Sequence, residues 1–155
     1  MDPYGDHVVT CKHGPHTIRR HDRMLYVKNI IANEAGLKSR LEKTGLIVGC
    51  KDHPVDVLLL MFYAGQDTCL DFVITHPLQP TFIDRVAGKS LVVAKAVAAK
   101  KHFNDDKKCR RNCLHLIAMA WETFNSSTLE TRIMIRKIAI CHADKHNQPR
   151  GQTIY

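Results

Sequence analysis

Apolar residues recur at helical spacing along three stretches of the chain and bunch into four short runs elsewhere. Met24, Val27, Ile31 and Ala35 fall at i, i+3, i+7 and i+11, with Ile30 beside them. That spacing lays one apolar stripe along a helix over residues 23–35. Asp22 stands where a cap belongs, and Gly36 is a natural stop. The residues before Asp22, rich in His, Gly and Pro, read as loop. Gly45–Cys50 (GLIVGC) is a short apolar run between glycines, Val55–Tyr63 a longer one after Pro54, and Thr68–Thr75 a third, ended by His76–Pro77. Short turn signals between such runs predict three strands in a meander.

From about Arg85 to Phe103 the residues are mostly Ala, Val, Leu and Lys, which predicts a second helix with Val86, Val93 and Val97 on one face. Asn104–Asp106 are expected to end it. Leu114–Ala120 is a strand candidate leading into Trp121, Glu122 and Phe124. Ser126–Ser127 offer a cap for a last helix over 128–142, with Leu129, Ile133, Ile135 and Ile138 as its apolar positions. The polar tail 144–155 is expected to be loose. The expected order is helix-strand-strand-strand-helix-strand-helix. It describes an α/β layer fold, a small mixed sheet flanked by helices.

At 155 residues and 45% hydrophobic, the chain is one domain with a real core. Its 23 Lys and Arg against 15 Asp and Glu give a net charge of +8, which points to a polyanionic partner, most often nucleic acid. The longest apolar run, Val55–Ala64, is broken by Asp56 and is far short of a bilayer. The first residues carry no secretory pattern, so a nuclear or cytoplasmic protein is expected, not a secreted one. Cys11, Cys50, Cys69, Cys109, Cys113 and Cys141 are then read as reduced thiols.

Two acids stand out by position. Asp56 lies near the start of one apolar run and Asp71 in the middle of the next. A carboxylate in an apolar strand is costly unless something pairs with it. Side by side on adjacent strands, the two would offer oxygen ligands to a divalent ion. At strand edges, solvated or paired with a surface lysine, they would be inert. Taking about 100° per residue from Val86, Lys89 falls at about 300°, Lys100 at about 320° and Lys101 at about 60°, all bordering the buried face. Lys95, at about 180°, faces water. Running back ~17 Å along the Asp71 strand takes about 11 helical residues, which favours Lys100, then Lys101, then Lys89 as a partner for the acids. A Lys-rich helix is also commonly a solvated face.

At the N-terminus His7, Cys11, His13, His16 and His21 form a loose cluster, and His7-x3-Cys11 has metal-ligand spacing. Cys109-x3-Cys113 with His115 reads as partly buried packing. Lys100, Lys101, Lys107, Lys108, Arg110 and Arg111 form a basic segment suited to phosphates, nuclear import or solubility.

Several stretches together resemble a known family: His7-Val-Val-Thr-Cys11, Arg19-Arg-His-Asp22, His53-Pro-Val-Asp-Val57, Leu70-Asp-Phe-Val-Ile-Thr-His-Pro77, the Lys100–Lys101 pair and Trp121-Glu-Thr-Phe124. In order and spacing they resemble the restriction-endonuclease-like (PD-(D/E)XK) domain at the C-terminal end of non-LTR retrotransposon reverse transcriptases. The resemblance implies that Asp56 and Asp71 are the paired catalytic acids and metal ligands, with Mg²⁺ or Mn²⁺ as cofactor. The usual lysine two residues after the second acid is replaced by Val73, and the resemblance assigns that role to Lys100 or Lys101. His7 and Cys11 match the last two ligands of the family's CCHC zinc knuckle. With two ligands of four, tight Zn²⁺ is not expected.

The resemblance divides the chain into a loop over 1–21, like the end of a truncated knuckle, an endonuclease-like domain over 22–143, and a polar tail over 144–155. It also implies a fragment of a transposon reading frame. Three functions follow. The first is a metal-dependent endonuclease that nicks DNA, contacting phosphates through the segment 100–111. The second is a catalytically inactive nucleic-acid-binding remnant. The third is an unrelated small basic interaction domain. No small-molecule substrate or membrane partner is expected.

Overall fold

The structure is a computed structural model that describes residues 15–41, 46, 55–77, 91–123 and 126–150. The elements in chain order are α1 (Pro15–Glu34), β1 (Ser39–Leu41), β2 (Val57–Tyr63), β3 (Gln66–Thr75), α2 (Val92–Arg111), β4 (Leu114–Glu122) and α3 (Leu129–Lys145). The sheet order is β1-β2-β3-β4. The first two pairings are antiparallel, and β3 pairs with β4 in parallel. The protein is therefore mixed α/β, a four-stranded mixed sheet with three helices among the described residues.

Helix α1 starts at Pro15, not near residue 23, so Asp22 lies inside it and the loop 1–21 does not extend that far. Its opening turns, His16–Asp22, are polar apart from Ile18, and a single apolar residue sets no period. Pro15 suits a first turn, where no intrahelical donor is needed. Gly36, at φ 79°, ends the helix as expected. Leu37 N donates to Ala32 O and Gly36 N to Asn33 O, both at 2.9 Å, closing a Schellman motif.

Strand β1 is a three-residue edge that apolar pattern does not mark. The strand expected at Gly45–Cys50 lies outside the described residues, apart from Leu46. Between β2 and β3 the turn residues Ala64 and Gly65 have φ 49° and 75°. Positive φ at both positions is the type I′ geometry whose twist suits a tight hairpin.

Helix α2 runs on through Asn104–Asp106 to Arg111. The two aspartates do not stop it because they pair along it, Asp105 with Lys108 at 2.8 Å and Asp106 with Arg110 at 3.4 Å. Cys113, at φ 57°, takes the left-handed position after the helix, so its spacing from Cys109 reflects a helix end. Helix α3 is capped by Thr128, whose Oγ1 accepts from Thr131 N, and not by Ser126 or Ser127. It extends through Lys145, so the tail is shorter than expected. Arg150 pairs with Asp144 at 2.8 Å, and residues 151–155 lie outside the described residues.

Two layers cover the sheet. On one face Leu25, Ala32 and Ala35 of α1 and Met134 and Ile138 of α3 pack on Val57, Leu59, Leu70, Phe72, Ile117 and Met119. On the other face Ala94 and Ala98 of α2 meet Ala118 and Ala120 of β4. Small residues on both sides bring α2 close to the sheet. Strand β3 is buried on both faces from Thr68 to Phe72, as a central strand should be. Among the described residues Cys69, Cys109, Cys113 and Cys141 are free thiols, and Cys11 and Cys50 lie outside the described residues. No helix among the described residues is long and apolar enough to cross a membrane.

Candidate active site

The hairpin register brings Asp56 and Asp71 together. Val57 pairs with Leu70, so one step outward Asp56 stands opposite Asp71, on the same face. Asp56 N donates to Leu70 O at 3.2 Å, and Phe72 N donates to Asp56 Oδ2. The Asp56 side chain thus closes the ladder where β2 begins. The two carboxyl groups are close enough that Asp56 helps to raise the pKa of Asp71. Alternation puts Asp71 on the α2 side with Cys69 and Val73, while Leu70 and Phe72 face α1 and α3.

Lys101 Nζ reaches Asp71 Oδ2 at 2.6 Å. Lys100 is exposed, and it is Lys101 that meets the acid, which reverses the order of preference reached from sequence. That order centred the buried face on Val86, Val93 and Val97, whereas the helix packs through Val93, Ala94, Ala98 and Cys109. Taken from Val93, Ala94 lies at about 100°, Ala98 at about 140°, Lys101 at about 80° and Lys100 at about 340°. Lys101 therefore sits in the middle of the packed face. Lys89 lies outside the described residues.

Burial pushes the Asp71 carboxyl up to about 6, against the pull of the Lys101 ammonium and with the nearby Asp56 charge adding to the rise. Asp71 is 7% exposed, so its charge is poorly solvated. A buried acid beside a second acid, with one lysine on the pair, is the arrangement active sites use to tune a carboxylate.

One residue joins this site, and another anchors the helix that carries Lys101; sequence reasoning assigns neither to it. His21 was grouped with the N-terminal histidines, yet its Nε2 lies 3.5 Å from Asp56 Oδ2 and its Nδ1 3.6 Å from Asp22. The extra turns of α1 carry it there. Glu122, at the end of β4, is 6% exposed and meets the start of α2. Its carboxylate accepts from Leu91 N at 3.3 Å and Ala94 N at 3.4 Å. Leu91 has no side chain to cap with, so a distant acid caps α2 and complements its dipole. This fixes the helix along its axis and hence the reach of Lys101. Replacing Glu122 by Ala should cost about 1–2 kcal/mol, read from urea unfolding, because the freed amides stay buried.

His102 ties α2 to α3, with Nδ1 3.0 Å from Asp106 and Nε2 2.9 Å from Glu130. Partial burial opposes its charge, but the two acids win and hold its pKa above the ordinary value.

Compared with known proteins, the chain matches no family model, no curated protein and no solved structure. The chemistry of the site therefore rests on its own geometry. Two carboxylates make an all-oxygen donor set, the complement that a Mg²⁺ ion takes from a protein when water and phosphate oxygens fill its other positions. Among the described residues no three His, Cys, Asp or Glu side chains are set to hold an ion together. The zinc candidates His7, Cys11 and His13, and the side chain of His16, lie outside the described residues.

Proposed function

We propose that this chain is a restriction-endonuclease-like (PD-(D/E)XK) domain that nicks DNA with a divalent ion, and that it derives from the C-terminal part of a non-LTR retrotransposon reverse transcriptase. The observation that carries the reading is the convergence of Asp56, Asp71 and Lys101 on one point of the sheet. The antiparallel hairpin supplies both acids, and the helix that crosses to a parallel strand supplies the lysine.

Asp56 and Asp71 would hold Mg²⁺ or Mn²⁺, which when bound supplies Lewis acidity to a scissile phosphate and its attacking water. Lys101, 37% exposed in its side chain, keeps contact with solvent. From there its ammonium offsets charge on the phosphate or orients the water. The direct test is relaxation of supercoiled plasmid with Mg²⁺ or Mn²⁺. Metal-dependent nicks that vanish in the Asp71→Asn variant support the reading, and nicking unaffected by that change ends it.

An inactive nucleic-acid-binding remnant is the second reading. Val73 in place of the usual lysine favours it, as does the engagement of Lys101 by Asp71. DNA binding through the segment 100–111 is common to both. Within that segment Lys108 and Arg110 are paired with Asp105 and Asp106, while Lys100, Lys107 and Arg111 stand exposed. Changing Lys107, Lys108, Arg110 and Arg111 to Gln should weaken binding on all sequences alike. The slope of log affinity against log salt should flatten by about 2, since only Lys107 and Arg111 are unengaged and each phosphate contact contributes about 0.9. Fluorescence anisotropy over a salt series measures it, and an unchanged slope moves the interface elsewhere.

A further inference from the structure

Helix α2 has a second functional side. Opposite the alanines that pack on the sheet, it presents Lys100, Phe103, Lys107 and Arg110 to solvent. Their spacing of three, four and three residues keeps them in one stripe. Phe103 is 88% exposed, more than any other large apolar side chain of the described residues. It borders a shallow hollow of about 470 Å³ with Lys107, Arg110 and Arg111 on its rim. Asp106 shares that hollow, but its carboxylate is taken up by His102 at 3.0 Å and Arg110 at 3.4 Å. The cations at Lys100, Lys107 and Arg111 therefore dominate.

A phenyl ring this exposed adds nothing to the core, and a ring amid cations is no ordinary solvated face. The matching partner has flat apolar faces joined by regularly spaced negative charge. Unpaired nucleic acid has both, because every base offers a π-face and every linkage a phosphate. In a duplex the bases are already stacked on one another, and phosphate contacts alone would not need the ring. An anionic membrane would call for a broad apolar face, and here there is one ring.

We propose that the outward stripe of α2 binds unpaired polynucleotide, with a base stacked on Phe103 and the adjoining phosphates on Lys100, Lys107 and Arg111. Phe103 lies at about 160° around the helix from Lys101, so its contact with a base is distinct from the Asp56–Asp71 site and stands whether or not that site cuts.

The test is fluorescence anisotropy in EDTA with labelled oligo-dT, oligo-U and a duplex of equal length. Excluding divalent ions separates this binding from any cleavage. Wild-type protein should prefer single strands. Phe103→Ala should weaken single-strand binding about 5- to 100-fold, the range for loss of one base–aromatic stack, and leave duplex binding within about 2-fold. Phe103→Trp should retain affinity, with the added indole fluorescence quenched on binding. Loss with both oligo-dT and oligo-U supports the proposal for either sugar; loss with one supports it and assigns the strand. The proposal is overturned if Phe103→Ala leaves single-strand binding unchanged, if duplex binding falls equally, or if anionic vesicles bind through Phe103 while single strands do not. Phe103 is 88% exposed, so the variants keep the fold.

Discussion

Asp71→Asn should abolish metal-dependent nicking, by about 10³-fold or more, and at the same time stabilise the metal-free protein. Both effects have one cause. The Asp71 carboxyl is held at about 6 by burial and by Asp56, against an ordinary value of 3.8. An acid whose pKa is raised by folding binds its proton more tightly in the native state. Its contribution to stability is therefore lost as pH rises from about 4 through about 6, because above that range the native state must carry a poorly solvated charge. The shift corresponds to about 3 kcal/mol at most.

The asparagine variant escapes that loss. Compared with wild type in urea, its advantage should be smallest near pH 4 and grow to its full size by about pH 7. Added Mg²⁺ should raise the stability of wild type and leave the variant unmoved, since a ligand stabilises only the state that binds it. A variant that still nicks, or whose difference from wild type is flat across this window, removes Asp71 from the site.

The second large effect separates two adjacent lysines. Lys101→Met should reduce nicking about 10²-fold or more, whereas Lys100→Met should leave it within about 3-fold. Lys101 Nζ stands 2.6 Å from Asp71, and Lys100 is exposed. Loss of Lys101 also removes the influence that lowers the Asp71 pKa. The loss of stability with rising pH should then still begin at about 4 but reach to higher pH, with Asp71 titrating above about 6. Chemical-shift titration of a carboxyl-labelled Asp71 would show this directly. Equal loss in both lysine variants would mean that they act only through DNA affinity, which the same anisotropy assay would detect.

Much of the architecture was legible in the chain because it follows from periodicity. The three helices, the β2–β3 hairpin, β4, the helix stop at Gly36 and the two acid-bearing runs come from local spacing and turn chemistry, whereas the edge strand Ser39–Leu41 does not. Helix ends were less legible where polar residues dominate the first or last turns, as in His16–Asp22 and Asp105–Arg111. There only capping and ion pairing decide how far the helix runs. Asp56 and Asp71 could be named from sequence because a carboxylate among apolar residues is conspicuous.

What remained undecidable along the chain was which residues meet across elements. The hairpin register sets Asp56 opposite Asp71, and a slip of one residue would have turned them to opposite faces. The choice of Lys101 over Lys100 came from a close approach of small side chains, Ala94 and Ala98 against Ala118 and Ala120, which centres the packed face between Val93 and Ala98 and not on Val93 and Val97. Alanine carries too little hydrophobicity to mark a face by itself, yet its small size determines which face can lie closest to a sheet. The arrival of His21 at Asp56, and the capping of α2 by Glu122, likewise depend on residues brought together by the tertiary fold, and no spacing within one element encodes such a meeting.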